Sequence, residues 1–253
     1  MHLFRQAVYS ESSFCKGILN KENMEKQSPR ELILKILKEK SSVKQDVYAN
    51  TVAAFKSMKT AAKALAADYK KEAAAIDKRV VIEYKEKGEF EFELRVAGDL
   101  LIFAMHTNIF EFDKSHPIWK NSYIKEDPSR SFCGIINIYN FLNDSFLYNR
   151  VNDLGYVIGR IFINKENHYF VEGKRQLGFL YNDFVHAVVS PEKLNDVLES
   201  TILYCLSFDL YTPPFDSVKE VSVQDMQAAS ESMQIKTGKR LGFRFQADND
   251  TME

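Results

Sequence analysis

The chain has 253 residues, with 34 basic and 35 acidic side chains and a formal net charge of −1 at pH 7. Its hydrophobic fraction of 45% and charged fraction of 27% are those of an ordinary soluble globular protein. There is no basic excess of the kind that indicates a nucleic-acid-binding domain, and no run approaches the roughly 18 apolar residues of a membrane span. We therefore expect a globular protein without a membrane segment, and we rank nucleic-acid binding low.

The cysteines and the N-terminal residues favour the cytoplasm. Cys15, Cys133 and Cys205 are widely spaced, and an odd number of cysteines gives no disulfide framework. Residues 1–20 have no continuous apolar stretch of the kind found in secretory signals. Residues 1–27 show no helical or strand period. We predict that they are either a disordered tail or an extension that precedes a true translation start at Met24.

The first strong signals of structure are two helix starts. Ser28 to Glu31 has serine at the N-cap, proline at the first helical position and glutamate at the third. A second start is predicted at Ser42, because Gln45 completes a similar box. From there to about Ile76 the chain has neither proline nor glycine and is rich in alanine. The sequence therefore predicts a long helix of roughly 50 Å, at 1.5 Å per residue.

One face of this long helix has apolar residues at alternating spacings of three and four, a pattern typical of helices that pair. The face, called the seam here, consists of Tyr48, Thr51, Phe55, Met58, Ala62, Leu65 and Tyr69. The seam has two interpretations, packing on the protein's own sheet or pairing with a second copy. We predict a homodimer that uses the seam wholly or in part. Its candidate interface residues are Tyr48, Phe55, Met58, Leu65 and Tyr69, with Trp119 from a later loop.

A stripe of lysines runs beside the seam and consists of Lys56, Lys59, Lys63 and Lys70. Such a stripe is usually a solvated helix face. It could also bind anions such as phosphate groups, or glutamates on a strand of a neighbouring subunit.

Alternating apolar and polar residues predict six strands between residues 79 and 173. In Glu89–Val96, for example, the even positions are apolar and the odd positions are charged. The predicted strands are 79–84, 89–96, 100–105, 132–142, 155–163 and 168–173. Mostly short connections favour an antiparallel arrangement. The sequence thus predicts an α+β protein in which a six-stranded, mainly antiparallel sheet is covered by the long N-terminal helix and by C-terminal helices.

Helices are predicted again after the sheet. The apolar residues from Leu177 to Val188 recur at helical spacing, and Ser190-Pro191 starts another helix. We expect a single domain over residues 28–210, with helices at 28–77, the sheet at 79–173 and helices at 175–210. Residues 211–246 are predicted to be a linker with a short helix at 222–233 and a short strand at 239–245, and residues 247–253 a disordered tail.

The search for catalytic and metal-binding motifs is negative. The chain has no paired-cysteine motif, no zinc-protease motif, no phosphate-binding glycine loop and no nucleophile elbow. His106 and Asp113 lie close in sequence, but their strand positions point to opposite faces. Cys133 is interpreted as a buried structural thiol. We expect no metal and no cofactor, and we assign no catalytic residue.

Polar residues inside predicted strands are the better candidates for a binding site, because strands disfavour asparagine. Asn137, Asn140 and Arg160 must each find a partner or a ligand, since a buried unpaired polar group costs about 1–3 kcal/mol. Arg160 needs such a partner in any case, because arginine keeps its proton and its charge in proteins.

Two long connections, 113–131 and 143–154, are the other candidates, because loops of this length are often functional. In a simple meander they leave opposite ends of a strand about 33 Å long. The first, with Trp119 and other aromatic residues, is expected beside the hairpin at 164–168 and is assigned to protein contact. The second is assigned to a polar ligand. With the strand residues, it gives the candidate ligand set Asn137, Asn140, Tyr148, Asn149, Arg150, Asp153, Arg160, Lys174 and Arg175.

These observations predict a cytoplasmic binding or assembly protein that self-associates through its long helix, with another protein partner as a further option. The alternative is a small-molecule enzyme or ligand sensor with a pocket on the sheet. Nucleic-acid binding through the lysine stripe ranks third.

Overall fold

The computed structural model describes residues 28–151, 153–208, 214–224 and 226. The predictions for residues 1–27, 239–245 and 247–253, and for most of 222–233, lie outside these residues. The predicted fold class is confirmed, because a long N-terminal helix, an antiparallel sheet and C-terminal helices make up the described part of the chain.

The N-terminal helices confirm one predicted start and correct the other. In α1 (Pro29–Ile36) the Glu31 amide donates to the Ser28 hydroxyl at 3.3 Å, and the Ser28 amide donates to the Glu31 carboxylate at 2.9 Å. The second predicted start, at Ser42, is wrong: a π-helical segment (Leu37–Ser41) continues directly into α2 (Ser42–Ile76). Ser42 itself has helical φ and ψ of −61° and −48°. No proline or glycine ends the helix here, and a π turn lets the backbone continue.

The sheet is an antiparallel meander of the predicted strands. Its strands are β1 (Ile82–Glu86), β2 (Glu91–Val96), β3 (Asp99–Met105), β5 (Phe132–Leu142), β6 (Tyr156–Asn164) and β7 (Tyr169–Gly173), in the order β1-β2-β3-β5-β6-β7. A two-residue strand, β4 (Phe110–Glu111), pairs with the start of β5 and was not predicted. The strands that the alternation predicted are therefore all present, within a few residues.

Short helices and turns fill the connections. Between β4 and β5 lie a 3-10 turn (Pro117–Lys120), α3 (Ser122–Glu126) and a second 3-10 turn (Pro128–Ser131). The connection from β5 to β6 begins with α4 (Asn143–Leu147). After the sheet come α5 (Gln176–Leu180), α6 (Pro191–Leu206) and α7 (Phe215–Val218).

The helix predicted from the apolar spacing of 177–188 is wrong beyond Leu180. The segment that follows runs along the outer edge of β7. The Val171 amide donates to the Tyr181 carbonyl at 2.7 Å and the Tyr169 amide donates to the Ala187 carbonyl at 3.0 Å. The last strand of a sheet has outward-pointing amides that need acceptors, and this irregular segment, which contains a turn at 184–186, supplies two of them.

Helices α2 and α6 cover one face of the sheet and form the main core with it. Phe55, Met58 and Leu65 of the seam are buried in this core. Gly134 allows the close approach of α2, since a Cβ there would lie 2.0 Å from the Thr51 hydroxyl oxygen. The seam therefore packs on the protein's own sheet, which is one of its two predicted interpretations.

The second face of the sheet is only partly covered. Near β4 the connection from β4 to β5 lies over it and forms a smaller apolar cluster of Ile118, Tyr123, Ile124, Cys133, Phe162, Phe170 and Phe184. Near the other end, α4 is the element of the described residues that overhangs the strands, beside the cleft that Asn143, Phe146 and Leu147 line. Within the described ranges, every helix is too short or too polar to cross a bilayer.

Candidate functional site

The connection from β5 to β6 exposes many large apolar side chains. We call residues 146–157, without the undescribed position 152, the apolar loop; it includes the first two residues of β6. Its large apolar side chains are between 41% and 80% exposed. They are Phe146, Leu147, Tyr148, Val151, Leu154, Tyr156 and Val157. Exposed apolar side chains concentrated in one segment in this way are typical of interaction surfaces.

The polar groups of the same connection are turned inward. The Ser145 hydroxyl donates to the Asp153 carboxylate at 2.6 Å. The Arg150 guanidinium contacts the same carboxylate at 3.0 Å, and the Arg150 amide donates to the Ser145 carbonyl at 2.7 Å. Asn149 takes a left-handed φ of 51°, a conformation that asparagine tolerates better than most residues. These contacts fix the backbone from which the apolar side chains project.

The polar contacts at this end are incomplete within the described part of the chain. One side-chain oxygen each of Asn140 and Asp144 and one guanidinium nitrogen of Arg150 are buried without a hydrogen-bond partner. Because each such group is costly to leave unsatisfied, this end of the sheet is less completely stabilised than its polar composition suggests.

An open cleft of about 380 Å³ lies beside the apolar loop, between the overhanging α4 and the outer strands. Its lining combines charged and apolar side chains: Glu83, Lys85, Lys87, Glu93, Arg95, Leu100, Asn143, Phe146 and Leu147. Two of its cations already have partners, since Lys87 contacts Glu93 at 3.0 Å and Arg95 donates to the Ala97 carbonyl at 3.3 Å. The charge of Lys87 is therefore neutralised within the protein, whereas the hydrogen bond of Arg95 to a carbonyl leaves its charge in place.

Arg160 finds its partner on the neighbouring strand. It lies directly opposite Glu172 of β7, and the two side chains form an ion pair. His116 approaches the same carboxylate, with Nε2 at 3.1 Å. Burial raises the pKa of the nearby Tyr139, and the positive charge of Arg160 partly opposes that shift. The arginine is 48% exposed and paired, so the fold alone explains its presence on this strand.

The opposite end of the sheet, at the hairpin between β6 and β7, is closed by a hydrogen-bond network. The Tyr123 hydroxyl donates to Glu166 at 2.7 Å and accepts from the Asn164 amide at 3.0 Å. Arg130 donates to the same glutamate at 3.0 Å. The first long connection therefore does meet this hairpin, as the meander predicted.

Two carboxylates of this network have lowered pKa values. Burial alone raises the pKa of Glu166, but hydrogen bonds from Tyr123 and Arg130 outweigh it and leave the pKa below its usual range. Burial likewise opposes the lowering of the Asp127 pKa, which the hydrogen bonds from Lys165 and Ser129 produce. Both groups are thus held in the charged form by their partners.

The predicted ligand residues do not share one site. Asn137 lies opposite Arg160 in the middle of the sheet, whereas Asn140 is buried nearer the apolar loop. Tyr148, Asn149, Arg150 and Asp153 belong to the apolar loop, and Lys174 and Arg175 are exposed just after β7. The cleft beside α4 is lined by none of these predicted residues.

The predicted interface residues are also mostly occupied within the chain. Phe55, Met58 and Leu65 are buried, and Tyr48 and Tyr69 are half-buried against the same core. Trp119 donates to the Asp113 carbonyl at 2.9 Å and is covered by the Lys114 ammonium group.

The lysines of the stripe differ in their surroundings. Lys59 pairs with Glu86 of the same chain at 2.9 Å, while Lys56, Lys63 and Lys70 are exposed. The sequence reasoning considered glutamates of a neighbouring subunit as partners, and here one partner lies in the same chain.

The residues that sequence reasoning missed are the apolar ones of the second long connection, above all Phe146, Leu147, Val151 and Leu154. Their signal was present as a high apolar content in a connection between strands. Apolar residues in a sequence are ordinarily interpreted as buried, so these residues did not indicate a surface site.

No metal-binding group of three or more suitable side chains occurs among the residues that the structure describes. Comparisons with protein-family models, with curated proteins and with solved structures find no match to this chain. The site must therefore be interpreted from its own geometry.

Proposed function

We propose that this protein is a non-catalytic binding protein whose apolar loop docks against an apolar surface of a partner protein. One observation carries the proposal: the loop exposes its large apolar side chains and turns its polar groups inward. Surface connections are ordinarily polar, and apolar exposure on this scale indicates a contact that the isolated chain leaves unfilled.

The internal polar contacts of the loop support this proposal. Ser145, Arg150 and Asp153 connect its two halves through short polar contacts. A preformed loop loses little conformational freedom when a partner binds, so more of the contact energy appears as affinity. The exposed set includes Phe146 and Tyr156, and aromatic residues are enriched among the side chains that dominate binding energies.

A small-molecule site in the cleft beside α4 is the second candidate. Its volume of about 380 Å³ falls within the range of known ligand pockets, roughly 300–1,000 Å³. Such pockets are usually concave and mostly apolar, whereas this cleft is open and five of its lining side chains are charged. The geometry therefore supports partner binding better than a metabolite site.

We place this activity in the cytoplasm. Cys133 is a free, fully buried cysteine, an arrangement that suits a reducing compartment.

Site-specific photo-crosslinking of the full chain tests the proposal. A benzophenone amino acid at Val151, in the cells that naturally express the protein, should yield an adduct with a distinct protein. The same amino acid at the exposed Lys125, at the hairpin end, should not. The adduct should disappear in the Leu147→Ser/Leu154→Ser variant, whose fold is checked by circular dichroism, and the identified partner should bind the purified protein in calorimetry. Equal adducts at both positions, adducts with lipid alone, or none at all would contradict the proposal.

A further inference from the structure

The two outer edges of the sheet differ. The outer edge of β7 is covered by the segment from Tyr181 to Val189, whose carbonyls accept hydrogen bonds from β7 amides. At the other side of the sheet, β1 ends the strand order, and no described segment pairs with its outer edge. An unpaired strand edge is a ready surface for an added strand.

The register shows which groups of β1 are available. The Ala97 amide donates to the Val81 carbonyl at 2.8 Å, and the Lys87 amide donates to the Glu91 carbonyl at 3.2 Å. Because backbone groups alternate in direction along an antiparallel strand, Glu83 and Lys85 also point their backbone groups toward β2. The amides and carbonyls of Ile82, Tyr84 and Glu86 therefore point outward from the sheet.

We propose that β1 pairs with β1 of a second copy of this chain, antiparallel, with Tyr84 opposite Tyr84 across a two-fold axis. In this register Ile82 lies opposite Glu86 of the second copy. These are the positions whose backbone groups are available, so each facing pair can exchange two hydrogen bonds. The two sheets become one continuous sheet, and the contact is closed by symmetry.

The side-chain charges fit this register and disfavour its neighbours. With Tyr84 at the centre, Glu83 faces Lys85 of the second copy, and the two-fold axis repeats the pair. Opposite charges directly across a strand pair are stabilising, and like charges are destabilising. Sliding the strands by two residues places Glu83 opposite Glu83 or Lys85 opposite Lys85. The charges therefore favour the register centred on Tyr84: in the register with Lys85 opposite Lys85, Glu83 would face Lys87, which is already paired with Glu93.

Charged residues on an edge strand can also serve to prevent pairing with another chain, but the charges of β1 do not fit that role. Protective edge charges work by repelling another copy of the same strand. Here the exposed Glu83 and Lys85 alternate in sign, so a second copy is attracted in one register.

This dimer goes beyond the proposed partner-binding function and does not depend on it. The cleft beside α4 is bordered by Glu83 and Lys85 of β1, so the two clefts of the dimer open next to the two-fold axis. Each apolar loop contributes Phe146 and Leu147 to its cleft. The dimer thus presents two docking loops on the same face of one sheet, which allows bivalent binding.

Charge reversal tests the pairing in the full chain by sedimentation velocity across micromolar concentrations. The wild-type protein should dimerise. Glu83→Lys and Lys85→Glu should each raise the dimer dissociation constant roughly tenfold or more, because two attractive pairs become repulsive. The double variant Glu83→Lys/Lys85→Glu should restore dimerisation. An equimolar mixture of the two single variants should form heterodimers.

A backbone variant provides an independent test. Glu86→Pro removes an outward-pointing amide and leaves the pairing with β2 intact, because proline is tolerated at such edge positions. It should abolish dimerisation, whereas the control Glu86→Ala, which keeps the amide, should not. Unfolding midpoints confirm that each variant is folded.

Three outcomes would overturn the inference: a wild-type monomer at all concentrations, a dimer that survives both charge reversal and Glu86→Pro, or failure of the double variant to recover. The Leu147→Ser/Leu154→Ser variant should dimerise normally. A protein that dimerises but forms no crosslink at Val151 would therefore contradict only the proposed partner binding.

Discussion

The two ends of the sheet carry long connections that differ in how their apolar and polar residues are packed. At the hairpin end a long connection buries its aromatic residues and satisfies its polar groups, with Tyr123, Arg130 and Glu166 joined in one network. At the other end, a shorter connection exposes its apolar residues, and buried polar atoms of Asn140 and Asp144 have no hydrogen-bond partner among the described residues. This difference is what we expect if the hairpin end contributes mainly to stability and the apolar loop binds a partner protein, as we propose.

The largest expected difference between the ends concerns their tyrosines. Tyr123→Ala should lower the free energy of unfolding by about 3–5 kcal/mol, because it leaves a cavity and removes partners from Asn164 and Glu166. The matched control at the other end, Tyr156→Ala, removes a side chain that is 41% exposed and should cost less than about 1.5 kcal/mol. Urea denaturation measures both. Equal losses would show that the two ends are equally packed.

The polar contacts beneath the apolar loop should matter to a smaller extent. Ser145→Ala leaves the Asp153 carboxylate without its 2.6 Å hydrogen bond and should cost about 1–3 kcal/mol. Ser115→Ala is the matched control, since Ser115 donates to Asp113 at the same distance on an exposed turn. That change should stay within about 0.5 kcal/mol. If Ser145→Ala is equally silent in urea denaturation, the loop is not held by this contact.

Acid should loosen the hairpin end first. The lowered pKa values of Glu166 and Asp127 mean that both carboxylates stabilise the folded state above their unfolded pKa values, about 4. That stabilisation is lost as the pH falls through their lower folded values. The effect should be modest, because partly exposed ion pairs are screened by solvent. Hydrogen exchange should show β6–β7 hairpin amides opening more readily at pH 3 than at pH 6, while Glu166→Gln reduces this difference.

Alternation predicted the sheet because each strand pairs with its neighbour in sequence and has one face in the core. The same local reasoning failed for residues 181–189, whose apolar spacing fits a helix but which form an irregular segment with a turn at 184–186. Only the uncovered edge of β7, a property of the assembled sheet, decides between the two. The predicted second start at Ser42 failed for a related reason, since a capping box is a local preference and the uninterrupted helix prevails over it.

The candidate site was less predictable than the fold. The sequence placed the second long connection at the correct end of the sheet, but it directed attention to Arg150 and Asp153, which pair with each other. The burial of a loop residue depends on whether another element covers it, and spacing carries no such information. For Arg160, the need for a partner was predicted, whereas Glu172 as that partner required the register of β6 and β7.

The smallest expected effect gives the most direct test of the contrast. Leu154 is 61% exposed on the apolar loop, so Leu154→Ser should change the free energy of unfolding by no more than about 0.5 kcal/mol. Leu177, fully buried near the same end of the sheet, is the matched control, and Leu177→Ser should cost at least about 2–5 kcal/mol. Both values come from urea denaturation at low protein concentration. A loss above about 1.5 kcal/mol for Leu154→Ser would mean that the side chain is covered in the native protein. Repeating the measurement at higher concentration then identifies the cover, because burial by a second copy makes the loss grow with concentration, while burial within the chain does not.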